Sequence, residues 1–95
     1  MNVSRDPWFV YILCCGDGTY YTGIAKDVAQ RLRQHRQGLG AKYTRGRGGL
    51  TLVYVEAAAD HGAALSREYA IKRLSRKEKR SLSETWSACV GEVLE

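Results

Sequence analysis

Cysteine is scarce and badly placed for structural work. There are three, Cys14, Cys15 and Cys89, an odd number with two adjacent and no CxxC pair. That excludes a disulfide framework and a cysteine-based metal site, and leaves idle thiols in a reducing compartment as the expectation. Proline occurs once, at Pro7. No apolar run is long enough to cross a membrane, and the N-terminus lacks the basic-then-apolar order of a secretion signal. These absences make a cytoplasmic protein without membrane attachment the expectation. The 95 residues leave room for one core and one domain, 1–95. A hydrophobic share of 44% suits a globular chain rather than a disordered one.

Positive charge is abundant and clustered. The net charge is +5, from 15 Lys+Arg against 10 Asp+Glu. Seven basic residues and one acid fall between Lys26 and Arg47, and seven more against two acids between Arg67 and Arg80. Two basic blocks on so small a chain point to a polyanion, usually nucleic acid. A merely solvated basic surface explains the charge equally well.

The run WFVYILCC (8–15) is apolar and aromatic throughout, bounded by Pro7 and by Gly16-Asp17-Gly18. It predicts a central buried strand followed by a tight hairpin. TYYTGIA (19–25) is the returning strand. If Cys15 and Thr19 close the loop, residues 11, 13, 21 and 23 share one face. Gly23, opposite Tyr11, then leaves a hollow. Asp27 caps a helix to about Gln37, with Gln30 in capping-box position. Val28, Ala29 and Leu32 form its inward face, Gln30, Arg33, Gln34 and Gln37 its wet face, and Arg31 and His35 stand one turn apart at the edge.

GLGAKYTRGRGG (38–49) reads as a loop, and LTLVYVE (50–56) alternates as a third strand. A helix over 62–74 follows, with Asp60 as its cap. The Ser75/Glu78 capping box then opens a second, short helix, and the last dozen residues carry no clear pattern. On the 62–74 helix Glu68 shares a face with Ala64, Leu65 and Ile71. An inward carboxylate needs a positive partner: a structural arginine, or a weakly held Mg²⁺ that keeps most of its waters. Taken singly, Tyr11 and Tyr21 fit core aromatics, Arg31 an ion pair and His35 a half-buried histidine.

As a group, FVYIL followed ten residues on by YTG, Arg31 and His35 on a helix and Glu68 on a later one resemble the GIY-YIG endonuclease superfamily. YTGIAKDVAQRLRQH, GAKYTRGRGGLTLVY and SREYAIKRLSRKEKRSL are similar to its small stand-alone bacterial branch. The motif-bearing core spans about residues 8–82. The first motif reads Phe9-Val10-Tyr11, without its glycine, and the second has Thr22 in place of isoleucine.

The resemblance implies a mixed α/β fold of the α+β kind, a small three-stranded antiparallel sheet flanked by helices. It implies metal-dependent hydrolysis of DNA phosphodiesters, structure- or single-strand-selective, in repair or recombination. Tyr11 is then the general base, with His35 as an alternative base or proton relay. A phenol titrates near ~10, so neighbouring cations must assist it. Arg31 stabilises transition-state charge, Tyr21 and Tyr43 position phosphate or water, and Gly23 is structural. Glu68 holds a single Mg²⁺ or Mn²⁺. Lys42, Arg45 and Arg47, with Arg33 and Lys72, grip backbone phosphates. DNA is the expected partner, with RNA left open and a protein supplying targeting as a further partner. Two other readings stand beside this one: a non-cleaving nucleic-acid-binding module, and a scaffold subunit docking an acidic protein.

Overall fold

In the computed structural model, which describes residues 7–38 and 49–94, the chain runs β1 (Trp8–Cys15), β2 (Tyr20–Ala25), α1 (Val28–Arg36), β3 (Leu50–Ala58), α2 (His61–Lys72) and α3 (Arg76–Leu94). The three strands form one antiparallel sheet of order β2-β1-β3. The expected α+β class and sheet are thus what the chain adopts. β1 is central because it alone is apolar on both faces. Val10, Tyr11, Ile12 and Leu13 are all essentially inaccessible to solvent.

The β1–β2 hairpin has the anticipated closure. Cys15 N–H donates to the Thr19 carbonyl at 2.8 Å, and Gly18 takes φ +86°, a conformation that excludes most side chains. Asp17 accepts from the Thr19 amide and hydroxyl. The resulting register sets Tyr11 opposite Gly23 and Leu13 opposite Tyr21.

On one face of the sheet, Tyr11, Leu13, Cys15, Ala25 and Leu50 pack under Val28 and Leu32 of α1. On the other, Val10 and Ile12 pack against Ala64 and Ile71 of α2, with Leu74 and Leu82 beyond. Burying each such aliphatic side chain contributes ~1.5–3 kcal/mol.

The helix starts follow the caps. Asp27 accepts from the Gln30 amide at 3.0 Å and Asp60 from the Ala63 amide at 2.8 Å. Ser75 and Glu78 form the reciprocal box, Glu78 N–H to Ser75 Oγ at 3.1 Å and Ser75 N–H to Glu78 Oε1 at 2.8 Å.

Five expectations need correction. β3 does not alternate cleanly: between Ile12 and Leu13 its register slips from Tyr54 to Leu52. The bulge at Val53 turns Leu50, Leu52 and Val55 to the α1 face, and Val53 and Tyr54 to the other. The helix opened by Ser75 is not short, since α3 continues through Leu94. Ala29 and Leu65 are exposed rather than inward, because α1 and α2 each bury only a narrow stripe. Gln34 is half-buried rather than wet. Finally, the hollow over Gly23 is filled by the tip of the Tyr11 ring itself. Cys15 is buried and Cys14 half-buried; the Cys89 side chain lies outside the described residues.

Candidate active site

Gly23 governs the site. A Cβ there would stand 2.6 Å from the Tyr11 hydroxyl and 3.1 Å from the Tyr21 ring, so only glycine lets the phenol cross β2. Having crossed, the Tyr11 hydroxyl meets Nε2 of His35 at 2.9 Å. Docking α1 on this face buries His35 to 2% exposure, and stacks its ring edge-on to Tyr21 at 5.2 Å and to Tyr11 at 6.0 Å between centroids. Arg31, one turn earlier, is half-buried and donates from Nη1 to Gln34 Oε1 at 3.0 Å.

The electrostatics are those of a dry pocket with a cation at its edge. Burial, assisted by Tyr21, pushes the Tyr11 phenol up to about 12. The Arg31 guanidinium, by hydrogen bond and charge, pulls it back, while Glu68 adds a smaller upward push. His35 is lowered from 6.5, first by burial and then by Arg31. Near neutral pH the pair is therefore an un-ionised phenol and an un-ionised imidazole. The Tyr11 hydroxyl and His35 Nε2 share one hydrogen bond at 2.9 Å, whose direction follows the imidazole tautomer.

Glu68 comes from α2. It is half-buried, and its carboxylate has the Lys72 ammonium at 3.4 Å. The partner is therefore a lysine one turn on, i to i+4 along the same helix, and not the expected arginine. The carboxylate is close enough to Tyr11 to bear on its ionisation. α2 is held in place by its other flank: Arg67 Nε donates to Glu56 Oε2 at 2.7 Å, and the Tyr54 hydroxyl donates to Glu56 Oε1.

Tyr11, Tyr21, Gly23, Arg31 and His35 are therefore brought together, with Glu68 within electrostatic reach. Arg33 is exposed on the outer side of α1. Lys72 is exposed beside Glu68. Tyr43, Lys42, Arg45 and Arg47 lie outside the described residues. Sequence reasoning missed Gln34, which holds Arg31. Its i, i+3 spacing from Arg31 was the available signal. It also missed two openings. One, of about 380 Å³, is lined by Phe9, Lys26, Asp27, Val28 and Val55 on the α1 face. The other, of about 210 Å³, is lined by Thr19, Tyr20, Arg76 and Lys79 at the hairpin.

A strand-crossing tyrosine over a glycine thus meets a helix-borne histidine beside an arginine, with a carboxylate on a later helix within electrostatic reach. The family model described as the GIY-YIG catalytic domain matches residues 7–81. The UPF0213 protein DP2720 of Desulfotalea psychrophila is 51% identical over 82 residues, covering 85% of this chain and 74% of that protein. The UPF0213 protein PC1_0597 of Pectobacterium carotovorum is 41% identical over 95 residues, covering 98% and 96%. Two solution NMR structures resemble the fold. The UPF0213 protein BH0048 of Bacillus halodurans has a TM-score of 0.53 and 46% identity, over 83% of this chain and 84% of that one. EF2693 of E. faecalis has a TM-score of 0.60 and 32% identity, over 88% and 90%. The chain belongs to the GIY-YIG superfamily of nuclease domains, in the small-protein branch that the UPF0213 relatives form. Among the described residues, no helix is long and apolar enough to cross a membrane.

Proposed function

We propose that the protein is a divalent-metal-dependent endonuclease hydrolysing DNA phosphodiester bonds, selective for structured or single-stranded DNA, with repair or recombination as its setting. The observation that supports this most is the 2.9 Å contact between the Tyr11 hydroxyl and His35 Nε2 beside Arg31. A phenol held at about 12 is a poor base by itself. Coupled to a neutral imidazole it can act. As the attacking water gives its proton to the Tyr11 oxygen, the phenol proton passes to Nε2. The water oxygen bonds to phosphorus, the bond to the leaving oxygen breaks, and solvent protonates the leaving group. Arg31 meets the charge that grows on the phosphoryl oxygens. Tyr21, packed against His35, fixes the imidazole.

GIY-YIG nucleases generally use a divalent metal. Among the described residues no three His, Cys, Asp or Glu side chains gather as a metal cage. The donor chemistry fits Mg²⁺ or Mn²⁺ held by Glu68 alone, with waters and substrate phosphate oxygens completing the shell. Such an ion supplies positive charge against the phosphate and the leaving oxygen. Lys72, which pairs with Glu68 at 3.4 Å, would take a substrate phosphate were Glu68 to hold such an ion. Arg33, and from their positions in the sequence Tyr43, Lys42, Arg45 and Arg47, complete the proposed contacts to substrate. RNA is a secondary substrate class, and a protein that supplies targeting is a further partner in this reading. A cytoplasmic location belongs to the same reading.

A second reading is favoured by the same Lys72 ammonium at 3.4 Å from Glu68: a binding module whose carboxylate serves only an ion pair. Cleavage of branched, nicked, single-stranded and duplex substrates under Mn²⁺ and Mg²⁺ decides between the two. Glu68→Ala is expected to abolish nicking while binding persists. If the wild type nicks nothing under either ion, the binding module stands.

A further inference from the structure

One side chain stands out on the surface. Tyr69 of α2 is 63% exposed, next to Leu65 at 43%. The ring is nonetheless held. Arg73 donates from Nη1 to the Tyr69 hydroxyl at 3.0 Å, with its guanidinium 5.5 Å from the ring centroid. An aromatic ring fixed in solvent is what a base-stacking surface requires, because its ordering cost is already met.

Its position follows from helix geometry. Arg67 points to β3 through Glu56, and Tyr69, two residues on, lies ~200° further around the helix. It therefore turns away from the β3 flank and, with Ala64 and Ile71 against the sheet, stands on the solvent side of α2. Tyr69 also directly follows Glu68. From Tyr69 the surface continues through Lys72 and Arg73 to Arg76, which donates to the Gly18 carbonyl at 2.9 Å, and into the opening of about 210 Å³ between Arg76, Lys79 and Tyr20. Between Tyr69 and Arg80 there are six basic residues and one acid, Glu78.

We propose that Tyr69, held by Arg73, is a stacking seat for an unpaired nucleobase adjoining the reacting phosphate, with Lys72, Arg76 and Lys79 taking the phosphates that follow. The assignment of a reacting phosphate rests on the nuclease reading; the stacking itself does not. The substrate class is a single strand or a single-stranded flap. A duplex already stacks both faces of its bases and has none to offer this ring. A protein partner fits poorly, since interface centres are depleted in lysine and the apolar area here is two side chains wide.

The test is fluorescence anisotropy with a labelled oligothymidylate and with a duplex of equal length, in EDTA so that nothing is cut. Wild type binds the single strand more tightly. Tyr69→Ala weakens single-strand binding roughly tenfold and duplex binding less than twofold, while Tyr69→Phe, which keeps the ring and loses its bond to Arg73, falls between wild type and Tyr69→Ala. Because Tyr69 is exposed, an unchanged melting temperature separates lost contact from lost fold. The proposal is overturned if the wild type prefers the duplex or binds no single strand, or if Tyr69→Ala leaves single-strand binding intact or weakens both ligands alike. Tyr69-dependent binding without any nicking would overturn the nuclease reading alone. Metal-dependent nicking with Tyr69-independent binding would overturn this inference alone.

Discussion

The two faces of β1 are equally buried and built for different ends. Val10 and Ile12 meet Ala64 and Ile71, aliphatic against aliphatic. Tyr11, on the other face, is 1% exposed and ends in a hydroxyl bonded to an equally buried imidazole. The first face can only stabilise. The second gives up part of that stability to hold two proton-carrying groups out of water, where their ionisation is shifted and their geometry fixed. One strand thus anchors the fold through Val10 and Ile12 and, in the proposed function, the chemistry through Tyr11.

Substitutions should separate these two roles. The largest effect is expected for Tyr11→Phe. Removing the base should lower metal-dependent cleavage ~10²–10⁴-fold while the protein stays folded. A single-turnover nicking assay beside a thermal melt measures both, and retained cleavage would make Tyr11 a packing residue. Ile71→Ala, on the aliphatic face, should cost ~2–5 kcal/mol of stability and leave cleavage per folded molecule unchanged. Urea unfolding reports it, and a cost under 1 kcal/mol would show that α2 is not anchored there.

Gly23→Ala should do some of each, because its Cβ would meet the Tyr11 hydroxyl at 2.6 Å. Displacing a packed ring costs ~1–3 kcal/mol and breaks the contact with His35, so cleavage falls although every reactive group remains. The smallest effect concerns the one polar flaw on the aliphatic side. Thr22 is opposite Ile12, and its hydroxyl is buried without a partner among the described residues. Thr22→Val should raise stability by ~1 kcal/mol, read as a melting temperature a few degrees higher. A lower one would mean that the hydroxyl is bonded.

Much of this was legible in the residues. The unbroken apolar run of β1, the Gly16-Asp17-Gly18 turn and the three helix caps, Asp27, Asp60 and Ser75, are local signals, set by local physics. The opposition of Tyr11 and Gly23 followed from the turn by counting. What escaped depends on contacts distant in sequence. The bulge at Val53 serves the fit of β3 to β1, and nothing in LTLVYVE announces it. The depth of His35 is set by how closely α1 docks, and that depends on Gly23 twelve residues earlier. The length of α3 is hidden because a charged, weakly patterned stretch looks alike in helix and coil.

The relay between Tyr11 and His35 is the central claim, and the pH dependence of single-turnover cleavage tests it most directly. The imidazole must be neutral to receive the phenol proton, and burial lowers its pKa from 6.5. Cleavage should therefore hold level through neutral pH and fall with acidity only below 6.5. No alkaline loss from the phenol should appear until far above pH 10, because Tyr11 sits at about 12. The fold has the same signs: below pH 6.5 the unfolded chain takes up the histidine proton more readily, and above pH 10 it releases the phenol proton more readily, so stability declines in both directions. An acid limb that disappears in His35→Gln, with the residual rate flat, is the predicted result. An acid limb that persists unchanged without His35 would contradict the relay.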